Sequence, residues 1–247
     1  MTEPVRSSKN EAAMVAREGE NPRRETDKPA HQRPELPDFW DHRFRQGVTP
    51  WDAGRVPHQF AEFSRRHREL LAGSKSDSQP GSQAGHHPEA RPRALVPGCG
   101  SAYEAGHLDA LDWATDAIDF SPAAIEAARV TLPAYGGALH CADFFCFGKD
   151  ASYDLIYERA FLCALPRPLW PDYAPRMARL LRPGGLLAGY FFIDETALKG
   201  PPFGIAAALL EDFCKPWFDR IDDAPSVDAI GPFAGRERWM VWRRRQG

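Results

Sequence analysis

From Arg93 onward, short apolar runs alternate with segments whose apolar residues recur at helical spacing. The runs "RALVP", "TDAIDF", "ALHCADFF", "YDLIYE" and "GLLAGYFFI" read as five strands, and "FDRIDD" and "ERWMVWR" as two more near the end. "GLLAGYFFI" is almost unbroken, as expected of a strand covered on both faces. Helices are predicted between them, at about Ala102 to Asp112, after Ser121, around Trp170, Tyr173, Met177 and Leu180, and at about Gly204 to Lys215. Ser121 with Pro122 has the form of an N-cap and first helical residue, and "RPGG" at 182–185 stops the helix before it. Strand–helix alternation predicts an α/β fold, a doubly wound, mainly parallel seven-stranded sheet with helices on both faces.

The first ninety residues follow another pattern. Residues 1–36 hold charge, Pro and Ser with few large apolar side chains, and read as a disordered tail. The domain is expected to span 37–247, with 37–72 as a helical cap and 73–92 as a flexible connection. Two helices are predicted in the cap, at about Asp38 to Arg45 and His58 to Leu71, separated by the turn "TPWDAG". His86 and His87 in the connection lack a third ligand and read as surface, so no metal is expected.

Composition narrows the chemistry. A net charge of -3 gives no global field for nucleic acid, and the terminal Arg243, Arg244 and Arg245 read as a solvated end. Five cysteines form no C-x-x-C pair, which suits a reducing cytoplasm. With no secretory h-region and no run of about 18 apolar residues, neither export nor membrane insertion is expected.

The stretch "LVPGCGSAYEAG" carries the ligand signal: glycines at 98 and 100 directly follow the first predicted strand. They make either a simple turn or a close backbone approach to a ligand. A dinucleotide fingerprint needs a small third residue, and Tyr103 stands there instead. Asp119, 19 residues after Gly100, ends the second strand, where a carboxylate accepts ribose hydroxyls or sits at a helix N-terminus. Asp143 beside Phe144 ends the third, suited to an adenine amino group and ring or to capping the next turn. The set fits a nucleoside without phosphates, with S-adenosylmethionine the leading candidate.

"LVPGCGSAYE", "AIDFS", "ADFF", "YDLIYERAFLCALP", "LLRPGG", the upstream "FWDHRFRQGVTPWDAG" and "GPPF" at 200–203 together resemble the thiopurine S-methyltransferase family, over roughly Leu36 to the C-terminus. The resemblance implies a class I methyltransferase that uses S-adenosyl-L-methionine. It further implies that Trp51 and Gly100 line the methionine end, Asp119 the ribose, and Asp143 with Phe144 the adenine. Val96 stands where many methyltransferases carry an acidic residue for the methionine ammonium.

Trp40, Gly98, Phe120 and Glu158 complete the expected cofactor contacts. Phe44, Arg159, Phe161 and Phe203 are expected around the acceptor, with Phe192 as a further candidate wall. Glu158 and Arg159 are the candidate catalytic pair; Arg159 either holds an anionic acceptor or belongs to an internal ion pair. No Ser/His/Asp group or paired catalytic acids are evident, which favours a thiol or other soft nucleophile acting as a monomeric enzyme's small-molecule acceptor. The rival readings are a nucleoside-binding regulator without transfer activity and a nicotinamide-dinucleotide oxidoreductase.

Overall fold

A computed structural model describes residues 28–76, 91–196 and 199–246. His86, His87 and most of the expected connection lie outside the described residues, as do residues 1–27. Strands β1 (Arg93–Pro97), β2 (Ala114–Asp119), β3 (Ala138–Cys141), β4 (Tyr153–Arg159), β5 (Leu181–Phe192), β6 (Phe218–Pro225) and β7 (Glu237–Arg244) form one sheet in the order β3-β2-β1-β4-β5-β7-β6. All neighbouring pairs are parallel except those made by β7, which runs antiparallel to β5 and β6. The expected doubly wound sheet of seven strands is therefore present.

Among the described residues six α-helices accompany it: α1 (Pro37–Arg45), α2 (His58–Ser76), α3 (Tyr103–Ala110), α4 (Pro122–Thr131), α5 (Trp170–Leu180) and α6 (Ala207–Cys214). Side chains alternate across the sheet, so β1 serves two cores. Leu95 joins Trp170, Tyr173, Met177 and Leu180 of α5 on one face. Ala94 and Val96 join Phe60 of α2, Leu108 of α3 and Ile125 of α4 on the other. Full burial of each large apolar side chain contributes roughly 1.5–3 kcal/mol. Two faces of such residues hold the strand ends, and hence the site, in place.

Three boundaries differ from the sequence reading. Helix α2 runs on to Ser76 through Gly73; one interior glycine costs only about 1 kcal/mol. Strand β3 stops at Cys141. There Ala142 N–H donates to the Asp119 carbonyl, and the Asp143 carboxylate accepts Phe145 N–H at 2.8 Å, which turns the chain away from the sheet. Strand β5 starts at Leu181, before "RPGG", which bulges out of the β4 ladder between the pairs Tyr153–Leu181 and Leu155–Leu186. Gly184 takes a positive φ of 79° in that bulge.

The described part of the expected tail is folded rather than loose. Ala30–Gln32 form a 3₁₀ turn, and the Pro34 carbonyl accepts the Trp40 indole N–H at 2.9 Å. Residues 30–36 therefore belong with the folded arm. Helix α1 docks through Asp41, whose Oδ1 accepts Ser121 Oγ–H at 2.5 Å and Ala123 N–H at 2.9 Å. Ser121 caps α4 in turn, its Oγ accepting Ala124 N–H at 3.1 Å, with Pro122 as the first helical residue. The arm is thus fastened to the N-terminus of the helix that follows β2, where the macrodipole favours a carboxylate.

Ser121→Ala removes both the cap and the donor to Asp41. Urea unfolding is expected to show a loss of about 1–2 kcal/mol; a loss of only a few tenths contradicts the docking described.

Candidate active site

The strand order reverses at β1, between β2 and β4. Ligands of open α/β sheets sit at the carboxyl ends of strands at such a point. Here the chain leaves β1 through Gly98 and Gly100, at φ of 58° and 50°, a left-handed conformation that costs glycine nothing. A Cβ on Gly98 would stand 2.5 Å from Cδ2 of Phe161, so the position is closed to side chains twice over. Gly100 N–H donates to Asp119 Oδ2 at 3.2 Å and Ser121 N–H to Oδ1 at 2.9 Å. Burial raises the Asp119 carboxyl to about 6, against the N–H donors of Ser121, Gly100 and Phe120, and the Asp41 charge adds to the rise.

Above these strand ends opens a cleft of about 630 Å³, a size usual for small-molecule sites. The sequence-predicted Trp40, Trp51, Gly98, Gly100, Asp119 and Phe120 line it, as do Asp143 and Phe144. Phe44, Arg159 and Phe161 line it too. The arm forms its roof: the Trp51 indole lies edge-on to Trp40 at 5.5 Å and to Phe44 at 6.1 Å. The turn carrying Trp51 is pinned to the glycine loop, where Ser101 Oγ–H donates to Asp52 at 2.6 Å. On the far wall Phe161 and Phe144 meet edge-on at 5.1 Å. Arg176 Nε donates to the Phe144 carbonyl at 3.1 Å, which fixes that aromatic against the rim.

Glu158, Phe203 and Phe192 do not line the cleft. Glu158 is 1% exposed. Its Oε2 accepts Phe161 N–H and its Oε1 the Tyr173 hydroxyl, each at 3.1 Å, so it shapes the loop that presents Phe161. Burial raises its carboxyl to about 7 despite these donors. Phe203 packs against the apolar core, its N–H bound to the Cys163 carbonyl at 2.7 Å, and Pro201 and Pro202 face the cleft in its place. Phe192 is buried against Phe233, which does line the cleft.

Arg159 is in an internal ion pair, but not with Glu158. Nε and Nη2 each lie 3.1 Å from a carboxylate oxygen of Glu237. Nη2 also donates to the Asp228 carbonyl at 2.7 Å, and the guanidinium lies 4.7 Å from the Tyr190 ring centre. The partner is 78 residues away in sequence, so no local spacing announced it. Sequence reading also missed Asp41, Asp52 and the prolines of the rim, among them Pro34, Pro50, Pro166 and Pro232. Asp41 sits four residues before Arg45, a spacing that reads as a surface helix pair.

A glycine turn after β1, a buried carboxylate ending β2 and an aromatic roof over the switch point frame the site, and its relatives make the chain an S-adenosylmethionine-dependent methyltransferase. The fold is similar to that of an N-methyltransferase, NodS of Bradyrhizobium japonicum WM9, solved with S-adenosyl-L-homocysteine: TM-score 0.54 at 20% identity, covering 73% of this chain and 86% of that one. The chain belongs to the thiopurine S-methyltransferase family, whose sequence profile, described as "Thiopurine S-methyltransferase (TPMT)", matches residues 83–245. It is 29% identical to a "Probable thiol methyltransferase 2" of Arabidopsis thaliana, over 83% of this chain and 84% of that protein. It is 26% identical to a "Thiocyanate methyltransferase 1" of Brassica oleracea over the same shares.

Glu158 gives a pH signature. Its folded carboxyl sits above the unfolded value, so the fold holds a proton that the unfolded chain has released. Its contribution to stability falls as pH rises from about 4.5 to about 7, then levels off. Glu158→Gln lacks this component. The stability of the variant relative to wild type is expected to rise across that window and stay flat above about pH 8; a difference independent of pH contradicts the burial argument.

Proposed function

We propose that this protein transfers the methyl group of S-adenosylmethionine to a small, soft sulfur acceptor, a thiol or related anion. The observation that carries the reading is the make-up of the cleft wall. Among the described residues that line it, none is His, Lys, Tyr, Ser or Thr. Its ionisable members are the acids Glu35, Asp119, Asp143 and Asp172, four arginines and Cys163. Burial holds the Cys163 thiol well above its ordinary value, so it stays protonated and inert. Of its carboxylates, Asp119 is held by the Gly100 and Ser121 N–H groups and Asp143 by Phe145 N–H, so neither is free to take a proton from an alcohol or amine, and no imidazole or amine stands among the described lining residues to do it. A thiolate needs no such base, and the relatives named for thiols and thiocyanate support the same choice.

When bound, S-adenosylmethionine would supply a methyl group activated by its sulfonium, with the neutral thioether as the leaving group. The residues provide alignment and exclusion of water. Asp119 is assigned to the ribose hydroxyls, Asp143, Phe120 and Phe144 to the adenine, and Trp40, Trp51, Gly98 and Gly100 to the methionine side. Phe44, Phe161, Phe233 and the rim prolines form an apolar, stiff acceptor wall. Arg159 keeps a fixed positive charge there to orient an anion; Glu237 holds its fork in one position. Glu158 acts at one remove, as a positioning residue for Phe161. A reducing, cytoplasmic setting is supported by Cys99, Cys141, Cys146, Cys163 and Cys214, all free. No helix among the described residues is long and apolar enough to cross a membrane.

With labelled S-adenosylmethionine, methyl transfer is expected onto small thiols and thiocyanate but not onto matched alcohols. Transfer to alcohols alone would refute the reading. Asp119 tests the cofactor assignment separately. Asp119→Ala is expected to weaken S-adenosylhomocysteine by about 2–3 kcal/mol. Because the ribose needs the ionised form, wild-type affinity should rise by about tenfold from pH 5 to 7.5, given a free carboxyl near 6. Calorimetry showing no pH dependence would remove Asp119 from the ribose.

A further inference from the structure

Two proline segments belong to the cleft wall. Pro201 and Pro202 come from the chain that follows β5, and Pro232 with Phe233 from the connection between β6 and β7. Proline has no N–H, so such segments bring few backbone donors with which to hold each other. Side chains behind the wall supply the donors. Arg167 Nη2 donates to the Gly204 carbonyl at 3.1 Å, next to the first segment. Arg236 serves both segments.

Arg236 does not line the cleft. Its Nη2 donates to the Pro232 carbonyl at 3.1 Å and its Nη1 to Asp194 Oδ2 at 2.6 Å. Asp194 stands two residues after β5, at the root of the first segment, and its N–H donates to the Ile205 carbonyl at 3.2 Å, beyond the two prolines. Asp194 Oδ1 accepts the Thr196 hydroxyl and N–H at 2.7 and 2.8 Å. Those two bonds, and then Arg236, outweigh desolvation and hold the Asp194 carboxyl down at about 2, so the pair stays ionised near neutral pH. The guanidinium also lies 5.1 Å from the ring centre of Phe192, which meets Phe233 edge-on at 5.5 Å. The main chain repeats the link: Arg236 N–H donates to the Phe233 carbonyl at 3.0 Å, and Ile193 N–H to the Arg236 carbonyl at 2.7 Å. With its side chain 49% exposed, the Arg236 ion pair adds little to global stability. A planar fork that bonds two loops at once fixes a geometry instead.

We propose that Arg236 is a positioning residue: by bridging Asp194 to the Pro232 carbonyl it sets how the two proline segments stand to each other, and thereby the breadth of acceptor that the cleft admits. The proposal rests on the transfer reading above and adds a determinant of acceptor size that lies behind the cleft wall.

Two acceptors of different breadth test it, thiocyanate, which is narrow and linear, and thiophenol, which is broad and flat. Calorimetry with S-adenosylhomocysteine reports the fold and the cofactor site. Arg236→Gln is expected to move the ratio of kcat/KM values at least fivefold toward thiophenol, through KM more than through kcat, while S-adenosylhomocysteine affinity stays within twofold. Asp194→Asn is expected to shift the ratio the same way, and the double variant no further than the larger single effect. Arg236→Lys keeps the charge beside Asp194 but loses the fork, so it should keep the wild-type melting temperature and still show the shift. A wild-type ratio in Arg236→Gln and Asp194→Asn overturns the proposal, whatever their melting temperatures. A wild-type ratio in Arg236→Lys overturns it too, because the bond to Pro232 would then carry nothing. If Arg236→Gln loses S-adenosylhomocysteine together with both acceptors, the ratios in Asp194→Asn and Arg236→Lys decide. Wild type that binds S-adenosylhomocysteine but methylates neither acceptor would instead overturn the transfer reading, and this proposal with it.

Discussion

The Asp119 carboxylate is the point on which the rest of the site depends. One oxygen holds the glycine turn through Gly100 N–H and the other holds the start of α4 through Ser121 N–H. Two loops that leave neighbouring strands are thereby set at one distance from each other. Asp41 extends the same node, since it binds Ser121 from the arm. The roof of the cleft is therefore fastened to its floor at the strand ends by three short polar residues, Asp41, Ser121 and Asp119. Burying two carboxylates this close together costs stability; backbone N–H donors, the hydroxyl of Ser121 and the positive end of α4 offset that cost.

From this follows a division of labour within the cleft. Its inner part is polar and built on strand ends, where backbone positions are least variable. Its outer part is apolar and built from aromatic rings and prolines on loops that only the tertiary fold brings together. Proline has few conformations to lose, so such a rim keeps its shape at low entropic cost. In the proposed reading the acceptor would meet a stiff wall and the guanidinium of Arg159, which Glu237 holds in place, and a reaction whose leaving group is already activated needs little more than alignment.

The inner part was readable from sequence because it follows local rules. Glycines after a strand, an acid ending the next strand and Ser121-Pro122 opening a helix each depend on neighbours a few residues apart. The parallel sheet was readable for the same reason. What sequence could not give depends on distance. Arg159 and Glu158 are adjacent in the chain, yet successive strand residues point to opposite faces. Glu158 therefore turns inward to Tyr173 and Phe161, and Arg159 reaches Glu237 on β7. Phe203 read as a wall residue from its aromatic character, but Pro201 and Pro202 present the face of that loop. The folded segment before Pro37 escaped notice because its anchors on α1, the Trp40 indole bond to the Pro34 carbonyl and the His31–His42 ring contact, lie outside any apolar periodicity.

A crystal structure of the protein with S-adenosylhomocysteine bound is the most direct test of this account. It should show the ribose hydroxyls on Asp119, the adenine between Phe120 and Phe144 with Asp143 at its edge, and the thioether sulfur facing Phe161 and Arg159 beneath Trp40 and Trp51. A ligand bound elsewhere, or bound with its ribose away from Asp119, would contradict the central claim that this node organises the site.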